Sequence, residues 1–344
     1  MSKQYDTIVF IGRFQPIHNA HLEIVRRACE LANELIIIVG SSEQPLTFKN
    51  PWTFRDRKEM WASAVSGMVS YNNCRIKIVP SVDFPYNDQM WASHIQEVVN
   101  KNSSFPAGRV AIIGHKKDES SFYLDMFPQW HSISVEAIEP LDATSIRDLF
   151  FRSNRNINFL RSVVPPSVCG FLERWSMTPD CEQITKEREF TDTYKRQFES
   201  LPYPPVFVTT DAVVLCCGHV LMIKRRSEPG KGLMALPGGF LNANKDKSML
   251  DCAIRELREE TGLKVPVPVL KGCVQDKEVF DAIDRSARGR TITHAFKIVL
   301  GDTELPKVKG GDDAEKAMWI PLANVDRSKC FEDHYSIIQW AIGG

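Results

Sequence analysis

Short apolar runs alternate with amphipathic stretches in the first half of the chain. Thr7–Ile11 and Leu35–Val39 are β-rich apolar runs; between them lie a turn-like segment, Gly12–Asn19, and a stretch, Ala20–Ala32, with apolar residues at helical spacing. Strand, helix and second buried strand in that order predict a βαβ unit and therefore a parallel sheet. Arg75–Val79, Val110–Ile113 and Ile133–Ile138 read as further strands, with helices over Thr53–Val65 and Asn87–Asn100. The expected first domain is an open α/β sheet.

The pattern then changes. Glu182–Ser200 is dense in charge, yet Phe190, Tyr194 and Phe198 recur every four residues, which predicts a helix with one apolar face. It runs into Leu201-Pro-Tyr-Pro-Pro205, where prolines stop both helix and sheet. The expected organisation is a first domain over 1–180, a charged helical linker over 181–205 and a second domain over 206–344. Strands are predicted at Val206–Cys216, Val220–Lys224, Thr291–Leu300 and Met318–Ile320, and a helix at Ser248–Thr261, giving a mixed α and β domain.

Composition narrows the function. The 344 residues suffice for two cores at about 150 residues per domain. Lys plus Arg equals Asp plus Glu at 43 each, so no overall cationic field draws nucleic acid or an anionic membrane, and neither partner is expected. The apolar runs fall far short of the roughly 18–20 residues of a membrane span. The start, MSKQYDTIVFIG, reads as a strand and not a secretory signal, so a cytoplasmic protein is expected. Nine cysteines form no CxxC pair, which predicts buried reduced thiols and no zinc site.

Candidate chemistry begins after the first strand, at Gly12-Arg13-Phe14-Gln15-Pro16-Ile17-His18-Asn19-Ala20-His21. His18 and His21, three apart at a helix start, share a face beside unpaired backbone N–H groups and the positive dipole end, a place that attracts phosphate. Asp142-Ala143-Thr144-Ser145-Ile146-Arg147 opens another helix after a late strand and brings hydroxyls and a guanidinium to the same sheet edge. Surface histidines and a simple N-cap are the bland alternative. GRFQPIHNAH resembles the GRFQPxHxGH signature of archaeal-type nicotinamide mononucleotide (NMN) adenylyltransferases, with Ala20 in place of the family's Gly, and ATSIR is similar to their (S/T)-T-x-I-R element. The resemblance implies a Rossmann-like fold and attack of the NMN phosphate on the α-phosphorus of ATP, with Mg²⁺ neutralising the triphosphate. It further implies His18, His21 and Arg147 as catalytic residues and Gly12, Arg13, Phe14, Thr144 and Ser145 as nucleotide contacts. Asn50-Pro51-Trp52-Thr53 with Arg57 resembles the family's substrate-bordering NPFxxxxR segment. Trp91 falls where the family stacks a tryptophan on the nicotinamide, and a core tryptophan is the alternative. Gly114-His115-Lys116-Lys117-Asp118, after a strand, is open between an ATP contact and a polar turn.

A second constellation pairs Leu236-Pro237-Gly238-Gly239-Phe240 with Arg255-Glu256-Leu257-Arg258-Glu259-Glu260-Thr261-Gly262-Leu263. Glu256, Glu259 and Glu260 at i, i+3 and i+4 share a helix face, where like charges repel unless a hard cation sits among them. The segment resembles the Nudix box, G-x5-E-x7-R-E-U-x-E-E-x-G-U, U being a bulky aliphatic residue. Its second half is complete, but strict counting from Gly239 puts Lys245 where the first Glu belongs, with Asp246 as a stand-in after an insertion. The likeness implies an α/β/α sandwich, Mg²⁺ (Mn²⁺ as the alternative) held by Glu256, Glu259, Glu260 and Gly238, and Glu259 as a catalytic group. Arg225, Phe280, Arg288 and Arg290 are candidate contacts for ADP-ribose, since Arg285-Ser-Ala-Arg-Gly-Arg-Thr-Ile-Thr-His294 resembles a segment of Nudix domains acting on that compound; an exposed basic loop is the alternative. Asp312, Asp313 and Glu315 are equal candidates for a water-activating acid.

Adenylyltransferase followed by Nudix resembles the bifunctional NMN adenylyltransferase/ADP-ribose pyrophosphatases, so ATP, NMN, NAD and ADP-ribose are the expected ligands, with a homo-oligomer left open. The alternative is an adenylyltransferase for another phosphate substrate carrying a non-hydrolysing, ligand-sensing Nudix-like domain. A DNA-binding regulator is disfavoured by the charge balance.

Overall fold

The computed structural model describes residues 3–66, 73–115, 123–135, 142–301, 303–311 and 314–343. Backbone proximity divides the chain into two units, Met1–Thr185 and Lys186–Gly344.

The first unit runs β1 (Tyr5–Gly12), α1 (Asn19–Leu31), β2 (Ala32–Val39), α2 (Phe54–Val65), β3 (Arg75–Pro80), α3 (Asp88–Asn102), β4 (Val110–His115), β5 (His131–Val135), α4 (Ala143–Arg152) and α5 (Pro166–Trp175). Its strands pair in the order β3-β2-β1-β4-β5, all in parallel. The central strands β1 and β2 are buried on both faces, which explains their near-continuous hydrophobic runs. Ile8, Phe10, Leu35 and Ile37 join one core cluster, while the alternate residues Val9, Ile11, Ile36 and Ile38 join another on the opposite face. The strand order reverses between β1 and β4, so their carboxyl ends flank the crevice where open α/β sheets take ligands. Of the expected strand Ile133–Ile138, residues 136–138 lie outside the described residues.

Helix α6 (Pro179–Arg196) crosses the division between the units. Its buried stripe is not the expected aromatic one. Phe190 is exposed, whereas Ile184, Glu187, Arg188 and Thr191 are buried, and Tyr194 and Phe198 pack their rings at tilted and edge-on angles around Phe207. The turn beyond Arg196 shifts the phase, so spacing by fours through Phe198 does not trace one helical face.

The second unit contains β6 (Phe207–Cys216), β7 (His219–Arg225), β8 (Met234–Ala235), β9 (Gly238–Phe240), α7 (Met249–Thr261), α8 (Val267–Gly272), β10 (Val274–Phe280), β11 (Thr291–Val299), β12 (Ala314–Pro321) and α9 (His334–Ala341). The main sheet order is β10-β11-β6-β7-β12, with β8 on β7 and β9 on β6. β6 and β11 are parallel; β7 is antiparallel to both β6 and β12. Cys217 and Gly218, with φ of 48° and 72°, form the two-residue turn joining β6 to β7. Ala212 and Val214 pack with Leu257 of α7, while Val213 packs with Ile337 and Ile338 of α9, so a helix covers each face. β10 was not expected from the sequence; VQDKEVF is mostly exposed and forms a charged sheet edge. Among the described residues no helix is long and apolar enough to cross a membrane.

Candidate functional site

In the first unit the chain leaves β1 at Gly12 and turns into α1. A Cβ at Gly12 would lie 2.7 Å from the ring of Phe14, which folds back at a φ of 53°. That ring packs against Phe10 and Trp61 and meets His21 edge-on. His18 caps α1 and the His18 and His21 ring centroids are 3.7 Å apart. The His18 backbone N–H donates to His21 Nδ1 at 3.2 Å, so the neutral His21 ring carries its proton on Nε2. Burial, then the proximity of His18 and His115, holds His21 well below the ordinary histidine range. His115, the last residue of β4, donates from Nδ1 to the Val135 carbonyl at 2.7 Å.

Arg147 joins the two sequence clusters. Its guanidinium donates to the carbonyls of Gln15 (2.6 Å) and Ala143 (3.2 Å) and to Thr144 Oγ1 (3.2 Å). Its buried Nε has no partner among the described residues. Burial and the nearby Arg13 bring its pKa down to about 10, which still leaves it charged at neutral pH. Asp142 caps α4 by accepting the Ser145 N–H at 2.9 Å, and Arg13, Thr144 and Ser145 are exposed. Imidazoles, guanidiniums and two helix N-termini therefore meet at the carboxyl edge of a parallel sheet, an arrangement suited to a polyphosphate.

Arg57 departs from expectation. It is buried and donates to the carbonyls of Thr53, Arg13, Gly40 and Ser41, at 3.2, 2.6, 2.7 and 3.1 Å, so it braces the loops after β1 and β2 from beneath. Gln15 has a matching role that no sequence signal disclosed: its amide bonds both the N–H and the carbonyl of Trp52, at 3.1 and 3.0 Å. Asn50 Oδ1 is buried with no partner among the described residues, which leaves an acceptor available to a ligand. Trp91 is half-buried, edge-on to Tyr123 and tilted against Phe127. Gly114 lies under Tyr123 and Leu124, and a Cβ there would reach both at 3.1 Å. Lys116, Lys117 and Asp118 lie outside the described residues.

In the second unit, Ser248 caps α7 and Gly262, at a φ of 58°, ends it. Both glycines of β9 are required by close approach: a Cβ on Gly238 would lie 2.1 Å from the Thr210 carbonyl oxygen, and one on Gly239 would lie 2.7 Å from the Glu256 carboxylate. The Gly238 N–H donates to Glu260 Oε2 at 2.9 Å. Arg255 grips Asp246 through two bonds, Nε to Oδ1 at 2.8 Å and a terminal nitrogen to Oδ2 at 2.7 Å. Its other terminal nitrogen donates to Glu256 (2.7 Å) and Glu259 (2.9 Å). Asp246 thus occupies the arginine-orienting role, while Lys245 is exposed. Burial pushes Glu260 up to about 8, and burial together with Glu259 and Asp246 raises Glu256.

The candidate ADP-ribose contacts divide. Phe280 is buried in the core against Trp340. Arg225 lies over the Phe331 ring at 4.0 Å, donates to the Pro229 carbonyl and lies within electrostatic reach of Glu260. Arg288 lies over Phe240 at 4.9 Å, with its Nε buried and unpartnered among the described residues. Arg290 turns to the Asp281 carbonyl within its own loop. Glu315 pairs with Lys224 at 3.1 Å, and Asp312 and Asp313 lie outside the described residues. The sequence did not disclose Asp211, His334, or the Arg285–Asp333 pair, whose two bonds are both 2.8 Å. Nor did it disclose Glu187 of α6, which accepts the Gly230 N–H at 3.2 Å.

Two family models match the chain, Cytidylyltransferase-like over residues 9–121 and the NUDIX domain over 206–341. A nicotinamide/nicotinic acid mononucleotide adenylyltransferase from Acinetobacter baylyi is 31% identical over 191 residues, covering 55% of this chain and 97% of that protein. An ADP-ribose pyrophosphatase from Methanocaldococcus jannaschii is 36% identical over 158 residues, 46% of this chain and 82% of its own. A crystal structure of a bifunctional NMN adenylyltransferase/ADP-ribose pyrophosphatase from Francisella tularensis superimposes with a TM-score of 0.89 and 34% identity, over 98% of each chain. The chain belongs to this bifunctional family.

A second structure of the Francisella tularensis family member, complexed with AMP and a Mn ion, has a TM-score of 0.87, 32% identity and 98% coverage of both chains. Whether the present residues fit such an ion is a question of charge. Among the described residues, no three His, Cys, Asp or Glu side chains are gathered at metal-holding spacing. The expected convergence is met only as a shared helix face, because Arg255 stands between Glu256 and Glu259 while Glu260 turns to Gly238. Burial and the nearby Glu256 nonetheless raise the proton affinity of Glu260, and burial with the nearby Glu259 raises that of Glu256, the signature of acids that gain from an added cation. The donor set fits a hard divalent ion.

Proposed function

We propose that the first unit condenses ATP with NMN to give NAD and pyrophosphate, and that the second hydrolyses ADP-ribose to AMP and ribose 5-phosphate. The observation that carries this is the presence of both side-chain constellations in one chain whose likeness to the bifunctional Francisella tularensis protein extends over 98% of each. In adenylyl transfer the NMN phosphate oxygen bonds to the α-phosphorus as the bond to pyrophosphate breaks. Neutral His21 offers its Nε2–H, His18 lies beside it, and Arg13 and Arg147 hold the triphosphate where negative charge develops. Thr144 and Ser145 at the start of α4 hold further phosphate oxygens.

In hydrolysis, water adds to a phosphorus of the ADP-ribose diphosphate as the bridging P–O bond breaks. Glu256, Glu259, Glu260 and the Gly238 carbonyl are the proposed holders of Mg²⁺, and Glu259, the most exposed of the three acids, accepts the water proton. When bound, Mg²⁺ supplies neutralisation of phosphate charge at both sites. Arg225 and Arg288 grip the diphosphate or ribose hydroxyls. The bidentate hold of Asp246 on Arg255 supports a working box over a degenerate, ligand-sensing one.

The test resolves nucleotide products after incubation with ATP, NMN and Mg²⁺, and separately with ADP-ribose and Mg²⁺. NAD is expected from the first and AMP from the second. His18→Ala abolishes the first alone, and Glu259→Gln with Glu260→Gln abolishes the second alone. Full ADP-ribose turnover in the latter variant would overturn the assignment of the acids.

A further inference from the structure

A buried histidine at the start of α9 reaches the back of the hydrolytic turn. His334 Nδ1 accepts the Leu236 N–H at 2.8 Å, which requires that nitrogen to be bare and places the proton of the neutral ring on Nε2. Nε2 lies 3.8 Å from Asp211 Oδ1, and Asp211 Oδ2 accepts from Thr293 Oγ1 at 2.6 Å. Asp211, Thr293 and His334 are all buried. The residue before His334 is Asp333, fixed by the bidentate bond from Arg285, so the helix start cannot drift without breaking a buried ion pair.

The held backbone is the one that matters for the box. Leu236 stands two residues before Gly238, the Ala212 N–H donates to the intervening Pro237 carbonyl at 2.8 Å, and the Gly238 N–H donates to Glu260. We propose that His334 is a positioning residue of the hydrolytic site: it fixes the Leu236–Gly239 turn through Nδ1 and so sets the Gly238 backbone against Glu260. This rests on the proposed metal-assisted hydrolysis. It adds a histidine from the far end of the unit and a second strand, β6, whose buried Asp211 faces the ring at 3.8 Å.

The full chain tests it with paired substitutions. His334→Asn keeps an acceptor where Nδ1 stands, whereas His334→Gln moves the polar group out toward Asp211 and leaves Leu236 N–H unpaired. Mn²⁺ affinity, read by electron paramagnetic resonance without nucleotide, is expected to weaken ~tenfold in His334→Gln, as for removal of other supports behind a metal ligand, and to recover in His334→Asn. NAD synthesis, carried by the first unit, is expected to stay unchanged in both, and an unchanged thermal unfolding transition reports that the second unit is folded. In the unaltered protein, ¹⁵N spectra are expected to show His334 with a bare Nδ1 and a protonated Nε2. Equal losses in the two variants, unchanged affinity in both, or the opposite tautomer would overturn the role of His334 while wild-type ADP-ribose turnover still stands. Absence of any metal-dependent turnover in wild type would remove the functional assignment and this role with it.

Discussion

Asp246 holds Arg255 through both carboxylate oxygens, and the same guanidinium then bridges Glu256 and Glu259. One aspartate from an irregular loop therefore sets the position of two acids on α7. The neighbouring Arg255 keeps the Asp246 carboxyl well below the usual carboxylate range. Asp246→Asn is expected to lower ADP-ribose turnover ~10–100-fold, as for other residues that orient site ligands, with NAD synthesis unchanged. A depressed folded pKa also means that this pair stabilises the unit above the ordinary aspartate range and ceases to as pH falls. Acid unfolding of the second unit should thus be less steep in the variant, as followed by circular dichroism.

His21 should stay neutral in the folded protein at pH 6, where a free histidine is mostly protonated. Its folded pKa is depressed, so the unfolded chain binds the extra proton and stability falls as pH drops below about 6.5. Histidine ¹⁵N spectra should show an Nε2–H tautomer throughout that interval, and a protonated ring at pH 6 would contradict the geometry. His21→Ala is expected to slow NAD synthesis ~100-fold or more, as for loss of one donor to a developing anion, without affecting ADP-ribose hydrolysis.

Arg57→Met should act through folding as well as catalysis. Removal of the guanidinium strands carbonyls of Arg13, Gly40 and Ser41, at an expected cost of ~3 kcal/mol to the first unit. Chemical denaturation should show that loss, together with a raised KM for ATP. An unchanged midpoint would mean that Arg57 is a ligand contact and not a brace.

Glu187 gives a pH dependence of the opposite sign. Burial and the nearby Glu228 and Glu332 raise it to about 7, so the folded state holds its proton through an interval where the unfolded state has lost it. Stability is therefore present at pH 4–5 and declines toward pH 8. Glu187→Gln keeps an acceptor for the Gly230 N–H and removes the penalty. Its melting temperature is expected to exceed wild type by about 3 °C at pH 8 and to match it near pH 4.5.

Phe280 and Arg57 show where sequence inference stops. Both belong to segments singled out from the sequence, and both side chains are buried against the protein itself, Phe280 on Trp340 and Arg57 on backbone carbonyls. Spacing along a strand or helix gives two or more faces, and only the partner layer decides which is buried. Trp340, packed on Phe280, comes from a helix that the sequence pattern did not disclose.

The sequence alone determined the strand–helix alternation of the first unit, the histidines at the α1 start, the carboxylates along α7 and the family to which these patterns correspond. These are local matters, fixed by period, cap and spacing. Tertiary structure decided that Arg147 is bonded to Gln15, that Asp246 replaces the box glutamate, and that His334 reaches Leu236. Each joins segments whose approach depends on how sheets order their strands and helices cover them, and no local propensity encodes that distance.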